Sequence, residues 1–152
     1  MKLITKNKIA YLDYDILDTY DVWLVLLWHE VKAIKGNHVN IKDAIISMED
    51  KALTIINMDI PLYERTSPLI APWYKAKGKR LLLAKKIELA KIVSKTTKTW
   101  LSIVPLELYI ATNGKIKLKI GIGKLRRKVE KKQVIKEREM KREMTKEIKQ
   151  YT

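Results

Sequence analysis

Residues 101–122, LSIVPLELYIATNGKIKLKIGI, decide how this chain folds. Their second half, KIKLKI, alternates strictly, so Ile116, Leu118 and Ile120 face a core while Lys115, Lys117 and Lys119 form a cationic ridge on the other face. The first half is an apolar run of similar length, and Asn113-Gly114 between the two supplies the positive φ angles that a tight hairpin turn requires. An antiparallel hairpin with one wet, basic face is therefore the unit from which the rest is read.

Upstream, DAIISMEDKALTIINMDI (43–60) reads as a second hairpin, joined at Glu49-Asp50-Lys51. Residues 7–20, NKIAYLDYDILDTY, alternate loosely, which predicts a strand with Tyr14, Ile16 and Tyr20 on one face, and VWLVLLW (22–28) continues it as a buried strand. The period then changes in WHEVKAIKG (28–36), where one or two helical turns carry Glu30, Lys32 and Lys35 and close at Gly36-Asn37. Residues 61–80 contain three prolines, Gly78 and a cluster of Lys and Arg, the composition of a surface loop. Within it, Trp73-Tyr74 beside Lys75, Lys77, Lys79 and Arg80 either stacks bases or covers one end of the body. RLLLAKKIELAKIVSK (80–95) predicts an amphipathic helix with Leu82, Leu83, Ile87 and Ala90 inward. Gly121-x-Gly123 reads as a flexible exit from the last strand, and composition shifts there.

The expected architecture is mainly β: a small closed antiparallel barrel of the oligonucleotide-binding (OB-like) shape, with two or three flanking helices and a long basic C-terminal tail. Residues 1–123 form the barrel domain and residues 124–152 the tail. In that tail twelve Lys and Arg stand against five Glu, and Met140, Met144 and Ile148 fall four apart, one face of a helix.

The 152 residues carry a formal net charge of +15 and are 47% hydrophobic, enough for one core plus an appendage. Both body and tail are basic, so the partner is anionic: nucleic acid, a membrane surface or an acidic protein. The absence of cysteine excludes disulfides, thiolate metal sites and a cysteine nucleophile. The longest apolar run is too short to span a membrane, and the first residues, MKLITK, lack the pattern of a signal peptide, so a soluble cytoplasmic protein without membrane association is expected.

Catalysis by hydrolysis needs a nucleophile with a base, paired carboxylates or a bound metal, and none stands out. His29-Glu30 lacks the second His of a zinc motif, and Asp13, Asp15, Asp18 and Asp21 read as a solvated strand face. No enzyme, cofactor or metal is expected. Lysines and arginines in this number fit phosphate binding with strong salt dependence. Residue chemistry alone gives Glu30 a salt bridge ahead of a hydrogen bond to a base edge.

Several stretches, in this order, resemble one family: NKIAYLDYDILDTYDVWLVL (7–26), HEVKAIKG (29–36) with NIKDA (40–44), KRLLL (79–83), IVPLELY (103–109), NGKIKLKIGIGK (113–124) and IKEREMKRE (135–143). The chain resembles the SsrA-binding proteins, the SmpB family, over almost its whole length. The resemblance implies a non-enzymatic factor that binds the tRNA-like domain of transfer-messenger RNA (tmRNA) and delivers it to stalled ribosomes for trans-translation. Its implied partners are tmRNA, small-subunit ribosomal RNA and the 70S ribosome, and it acts as a monomer alongside elongation factor Tu and alanyl-tmRNA. The tail, disordered when free, enters the empty message channel at the decoding centre and becomes helical there.

Carried over by position, the resemblance assigns RNA binding to Asn7, Lys8, Glu30, Val31, Lys32, Lys35, Asn40, Lys79, Arg80 and Lys124, which for Glu30 reverses the order of the two readings. To the decoding centre and message channel it assigns Arg126, Arg127, Lys128, Val129, Glu130, Lys131, Lys132, Lys136, Arg138, Met140, Met144 and Ile148. The chain departs from the family pattern at Trp28-His29, at Leu125 where a glycine is usual, in a loop over 65–78 about two residues longer, and at Val129, which lacks the aromatic ring that stacks on a base. The competing expectations are a ribosomal or general RNA-binding barrel without a rescue role, and a membrane-surface protein whose only support is the Met140, Met144, Ile148 stripe.

Overall fold

A computed structural model of the chain describes residues 1–63, 72–97 and 100–150. The elements are β1 (Lys2–Lys6), α1 (Lys8–Asp13), β2 (Tyr14–Leu24), α2 (Trp28–Lys35), β3 (Ile45–Glu49), β4 (Ala52–Ile56), β5 (Arg80–Leu83), α3 (Lys86–Thr97), β6 (Ser102–Ile110), β7 (Ile116–Leu125) and α4 (Lys128–Gln150). The hairpin read from the alternation is β6–β7, and it lies at the heart of a seven-stranded antiparallel sheet of order β1-β6-β7-β2-β5-β4-β3. Ile116, Leu118 and Ile120 are buried and Lys115 is exposed, as their spacing requires. Of the turn residues only Gly114 takes a positive φ, 79°, with Asn113 accepting from the Lys115 N–H instead. In the β3–β4 turn Asp50 and Lys51 both adopt left-handed backbone, which turns the chain in two residues.

The sheet is open, which corrects the expected closed barrel. No ladder joins the edge strands β1 and β3. The physical reason lies in β6. Its second half pairs with β1, whereas its first half carries Pro105, which has no N–H to donate, and a bulge before Glu107. Asn7 takes the neighbouring carbonyls: its N–H donates to Leu106 O (2.7 Å) and its Nδ2 to Pro105 O (3.1 Å). The start of β6 therefore faces β3 across a groove lined by Ile45, Ser47, Leu101 and Ile103 rather than through hydrogen bonds.

Three other expectations are corrected. Residues 8–13 are helical, because Asn7 Oδ1 caps the turn at the Ala10 N–H (3.2 Å). Residues 80–83 are a strand, β5, paired with β4 and β2, and the helix begins only at Lys86; Leu82 is buried but Ile87 is 72% exposed. A run of three leucines satisfies either period, and the vacant place between β2 and β4 decided it. Gly121 and Gly123 are buried inside β7, which continues to Leu125, so they are no flexible exit. A Cβ on Gly121 would lie 2.7 Å from Leu106 Cδ1, and one on Gly123 2.7 Å from the Asp15 carbonyl.

The main core gathers Val22, Ile34, Leu53, Ile55, Leu82, Ile92, Leu118 and Ile120 inside the curl. A small second cluster of Ala10, Val104 and Leu106 seats α1 on the outside.

Candidate nucleic-acid interface

The candidate interface is organised around a buried ion pair. Arg80 enters β5 from the 72–79 loop with its side chain inward, and its Nε lies 2.5 Å from Glu30 Oε2, each side chain only 5% exposed. The other guanidinium hydrogens go to Met58 O (2.6 Å), Gly78 O (3.3 Å), Ala76 O (2.9 Å) and the Tyr74 hydroxyl (3.1 Å). Glu30 Oε1 accepts from the Leu27 N–H (2.9 Å), fixing the first turn of α2. The Tyr74 proton lies between Ile60 O (2.7 Å) and Glu30 Oε2 (3.1 Å). Burial, and then the Glu30 charge, push that phenol up to about 12. One buried cluster thus ties α2, the end of β4, the loop and β5 together, and every charge in it is paired.

His29 is buried beside it, its ring edge-on to Tyr74 with centroids 4.6 Å apart. Trp73 sets its ring edge-on to Tyr74, with centroids 6.4 Å apart, and is 62% exposed. The two readings of this aromatic pair are therefore divided between its members: Tyr74 closes the end of the body and Trp73 remains available.

Glu30 and Arg80, read by resemblance as RNA contacts, are spent on each other in the folded chain, and Asn7 is spent on the α1 cap. That is the ion pair that residue chemistry alone favours for Glu30. Lys8, Lys32, Lys35, Asn40 and Lys124 are exposed and Val31 is half-buried. Asn40 also holds its loop, exchanging backbone hydrogen bonds with Asp59 and accepting from the Lys42 N–H. Lys79 is exposed but paired with Glu49. On the outer sheet face the cationic ridge is partly engaged: Lys117 and Lys115 lie over the Trp23 ring at 4.2 and 5.1 Å, and Lys119 is 3.8 Å from Glu107.

The root of the tail is bound to the body. Arg126 donates its N–H to Asp13 O (2.7 Å) and its guanidinium lies 3.9 Å from Asp15; Lys131 Nζ is 2.5 Å from Asp13. Glu130 turns back onto Arg127. Lys128, Val129, Lys132, Lys136 and Arg138 are exposed along α4, and so are Met140, Met144 and Ile148. The aspartates read as a solvated face are thus partners: Asp18 also pairs with Lys95, and Asp21 accepts from the Tyr109 hydroxyl (2.8 Å). Nothing in the local sequence signals these pairings, because each partner lies 77 or more positions away.

Among the described residues no group of three or more His, Asp or Glu side chains is gathered for a metal, and no helix is long and apolar enough to cross a membrane.

The family model described as SmpB protein matches residues 4–150. The SsrA-binding proteins of Persephonella marina and Coprothermobacter proteolyticus are each 38% identical, over 98% of this chain and 95% of the relative in the first case, and 97% of both in the second. That of Mycoplasma mycoides is 36% identical over 98% of this chain and 97% of its own length. Among solved structures, one presented as "tmRNA-SmpB: a journey to the center of the bacterial ribosome" superposes with a TM-score of 0.64 at 30% identity, covering 82% of this chain and 85% of the other. With the family model spanning residues 4–150, body and basic tail alike, and relatives 38% identical over almost the whole chain, the chain belongs to the SmpB family.

Proposed function

We propose that the chain binds the tRNA-like domain of tmRNA and delivers it to stalled ribosomes for trans-translation, as a cytoplasmic RNA-binding factor and not as an enzyme. The observation that carries this reading is the match of body and tail together, over residues 4–150, to proteins named for binding SsrA RNA. The curled sheet serves as the OB-like frame. Lys8, Val31, Lys32, Lys35, Asn40 and Lys124 contact RNA from its surface. Asn7, Glu30 and Arg80 contribute by holding α1, α2 and the loop in place. The tail, from Arg126 on, probes the empty message channel of the small subunit at the decoding centre, and the chain acts as a monomer with elongation factor Tu and alanyl-tmRNA. As α4 leaves Met140, Met144 and Ile148 exposed, the tail alone has little to hold it helical, and its order comes from the ribosome.

The test is a truncation placed after Leu125, where β7 ends, so that the sheet stays whole. Removing residues 126–152 is expected to leave binding to isolated tmRNA mostly intact and to abolish peptide tagging on stalled ribosomes. Tagging that survives the truncation overturns the role of the tail. A full chain that shows no preference for tmRNA over ribosomal RNA favours a general RNA-binding role instead.

A further inference from the structure

The ion-pair cluster forms the floor of a cavity of about 400 Å³ that opens on the surface between the strand-to-helix link at 25–27 and the 72–79 loop. Its rim is apolar on one side, where Val25, Leu27 and Leu81 are each more than a third exposed, and aromatic on the other, where Trp73 leans edge-on against Tyr74 and is itself largely exposed. Lys75 and Lys79 complete the rim. A volume in this range suits a small planar ligand, since small-molecule sites of roughly 300–1,000 Å³ are mostly apolar with a few fixed polar groups.

We propose that this cavity receives one unstacked nucleobase of the bound RNA, with Trp73 as its stacking platform and Lys75 neutralising a flanking phosphate. The floor argues against a charged occupant. All five guanidinium hydrogens of Arg80 are used by protein acceptors, and the Glu30 charge is already paired, so the site offers a deep anion or cation nothing. What remains is an apolar slot with a flat ring at its mouth and the Lys75 ammonium outside, which complements a base attached to its phosphodiester. Single-stranded loops are recognised in this way, by splaying a base onto an aromatic side chain, and such stacking tolerates any base because each has a π face. Charge complementarity selects RNA over an apolar peptide as the occupant, on a chain of net charge +15.

This inference rests on the RNA-binding reading, and the experiment keeps the two apart. The probe is a labelled transcript of the tmRNA tRNA-like domain, titrated with full-length chain, Trp73→Ala, Trp73→Phe and Lys75→Gln at several salt concentrations. Trp73 is largely exposed, so its loss leaves the fold intact, checked by circular dichroism. Trp73→Ala is expected to weaken binding roughly 5- to 150-fold, the worth of one stacked base, with an unchanged salt slope, and Trp73→Phe to restore most of the affinity. Lys75→Gln is expected to lower the slope of log K against log salt by about one. Wild-type affinity in Trp73→Ala overturns the base pocket and leaves the RNA-binding reading standing. Failure of the full-length chain to bind the transcript overturns both.

Discussion

Replacing Glu30 by Gln distinguishes a carboxylate that reads RNA from one that shapes the protein's own surface. The change is isosteric, yet it leaves the Arg80 guanidinium buried without a counter-charge. Removing one partner of a buried ion pair costs about 3–5 kcal/mol. Gln retains an oxygen for the Leu27 N–H, so the loss is nearer that of one hydrogen bond to a charged group, about 2–3 kcal/mol. With a urea m value of about 2 kcal/mol per M, the unfolding midpoint falls by roughly 1–1.5 M at unchanged m. The second readout is the affinity of the folded variant for the tRNA-like domain. Its decrease follows from the loosening of Tyr74 and Arg80 on the Oε2 side, so Tyr74→Phe, which keeps the Glu30 charge but loses the hydroxyl, reproduces part of it. A midpoint that stays put while affinity falls by the 1–3 kcal/mol of a base contact, about 5- to 150-fold, refutes this reasoning, because the carboxylate then acts on RNA directly.

Gly123→Ala is expected to cost about 1–3 kcal/mol by urea unfolding, since the added methyl meets the backbone of β2 at Asp15, and an unchanged midpoint contradicts the tight β2–β7 packing. The Lys95 ammonium, and then the Tyr20 hydroxyl, hold the Asp18 carboxyl below the usual carboxylate range. A lowered folded pKa means stability present above the unfolded value, about 3.9, and lost as pH falls through the folded one, so Asp18→Asn flattens the acid limb of the stability curve below pH ~4. At the alkaline end burial, with Glu107 second, pushes Tyr11 up to about 12, and Tyr74 is raised to a similar value. Their contribution is complete below about pH 10 and is lost as pH rises through 12; phenolate absorbance in which all tyrosines ionise together near 10 refutes these environments.

What was legible in the sequence followed one physical rule, that a period of two or a turn of fixed chemistry leaves little choice. KIKLKI with Asn113-Gly114, and the apolar arms around Asp50-Lys51, formed the hairpins expected of them. The RLLL run had no period of its own, and only the gap between β2 and β4 made it a strand. Closure was not legible either, because it turns on a bulge and on what Asn7 does to carbonyls 98 and 99 positions away. At the site, a salt bridge for Glu30 follows from a carboxylate set among basic residues, but its partner is hidden because Arg80 lies 50 positions away, where the loop composition of 61–80 meets the helical reading of 80–95. Tyr74 and Trp73, adjacent in sequence, differ entirely in environment, and nothing in the pair itself says which faces inward.

The tail is where the balance of forces says most about function. Its root is fastened by Asp13 and Asp15, but ion pairs at this exposure contribute about 0–1 kcal/mol each and weaken with salt, so the fastening orients the tail more than it stabilises it. Beyond the root, α4 extends through 23 residues, about 35 Å at 1.5 Å per residue, with Met140, Met144 and Ile148 each more than half exposed. Burying such side chains fully is worth about 1.5–3 kcal/mol apiece. Over these three positions the exposed area is what a partner surface would cover under the proposed function, and covering it would add to the stability of the helix. Val129, 78% exposed at the position where the family resemblance implies an aromatic ring, has no ring to stack on a base. If the tail docks on RNA as proposed, a valine at this root leaves the contact to the stripe and the surrounding lysines and arginines. Tagging by this chain is then expected to fall more steeply with salt than that of a Val129→Tyr variant, and equal salt dependence of the two refutes the argument.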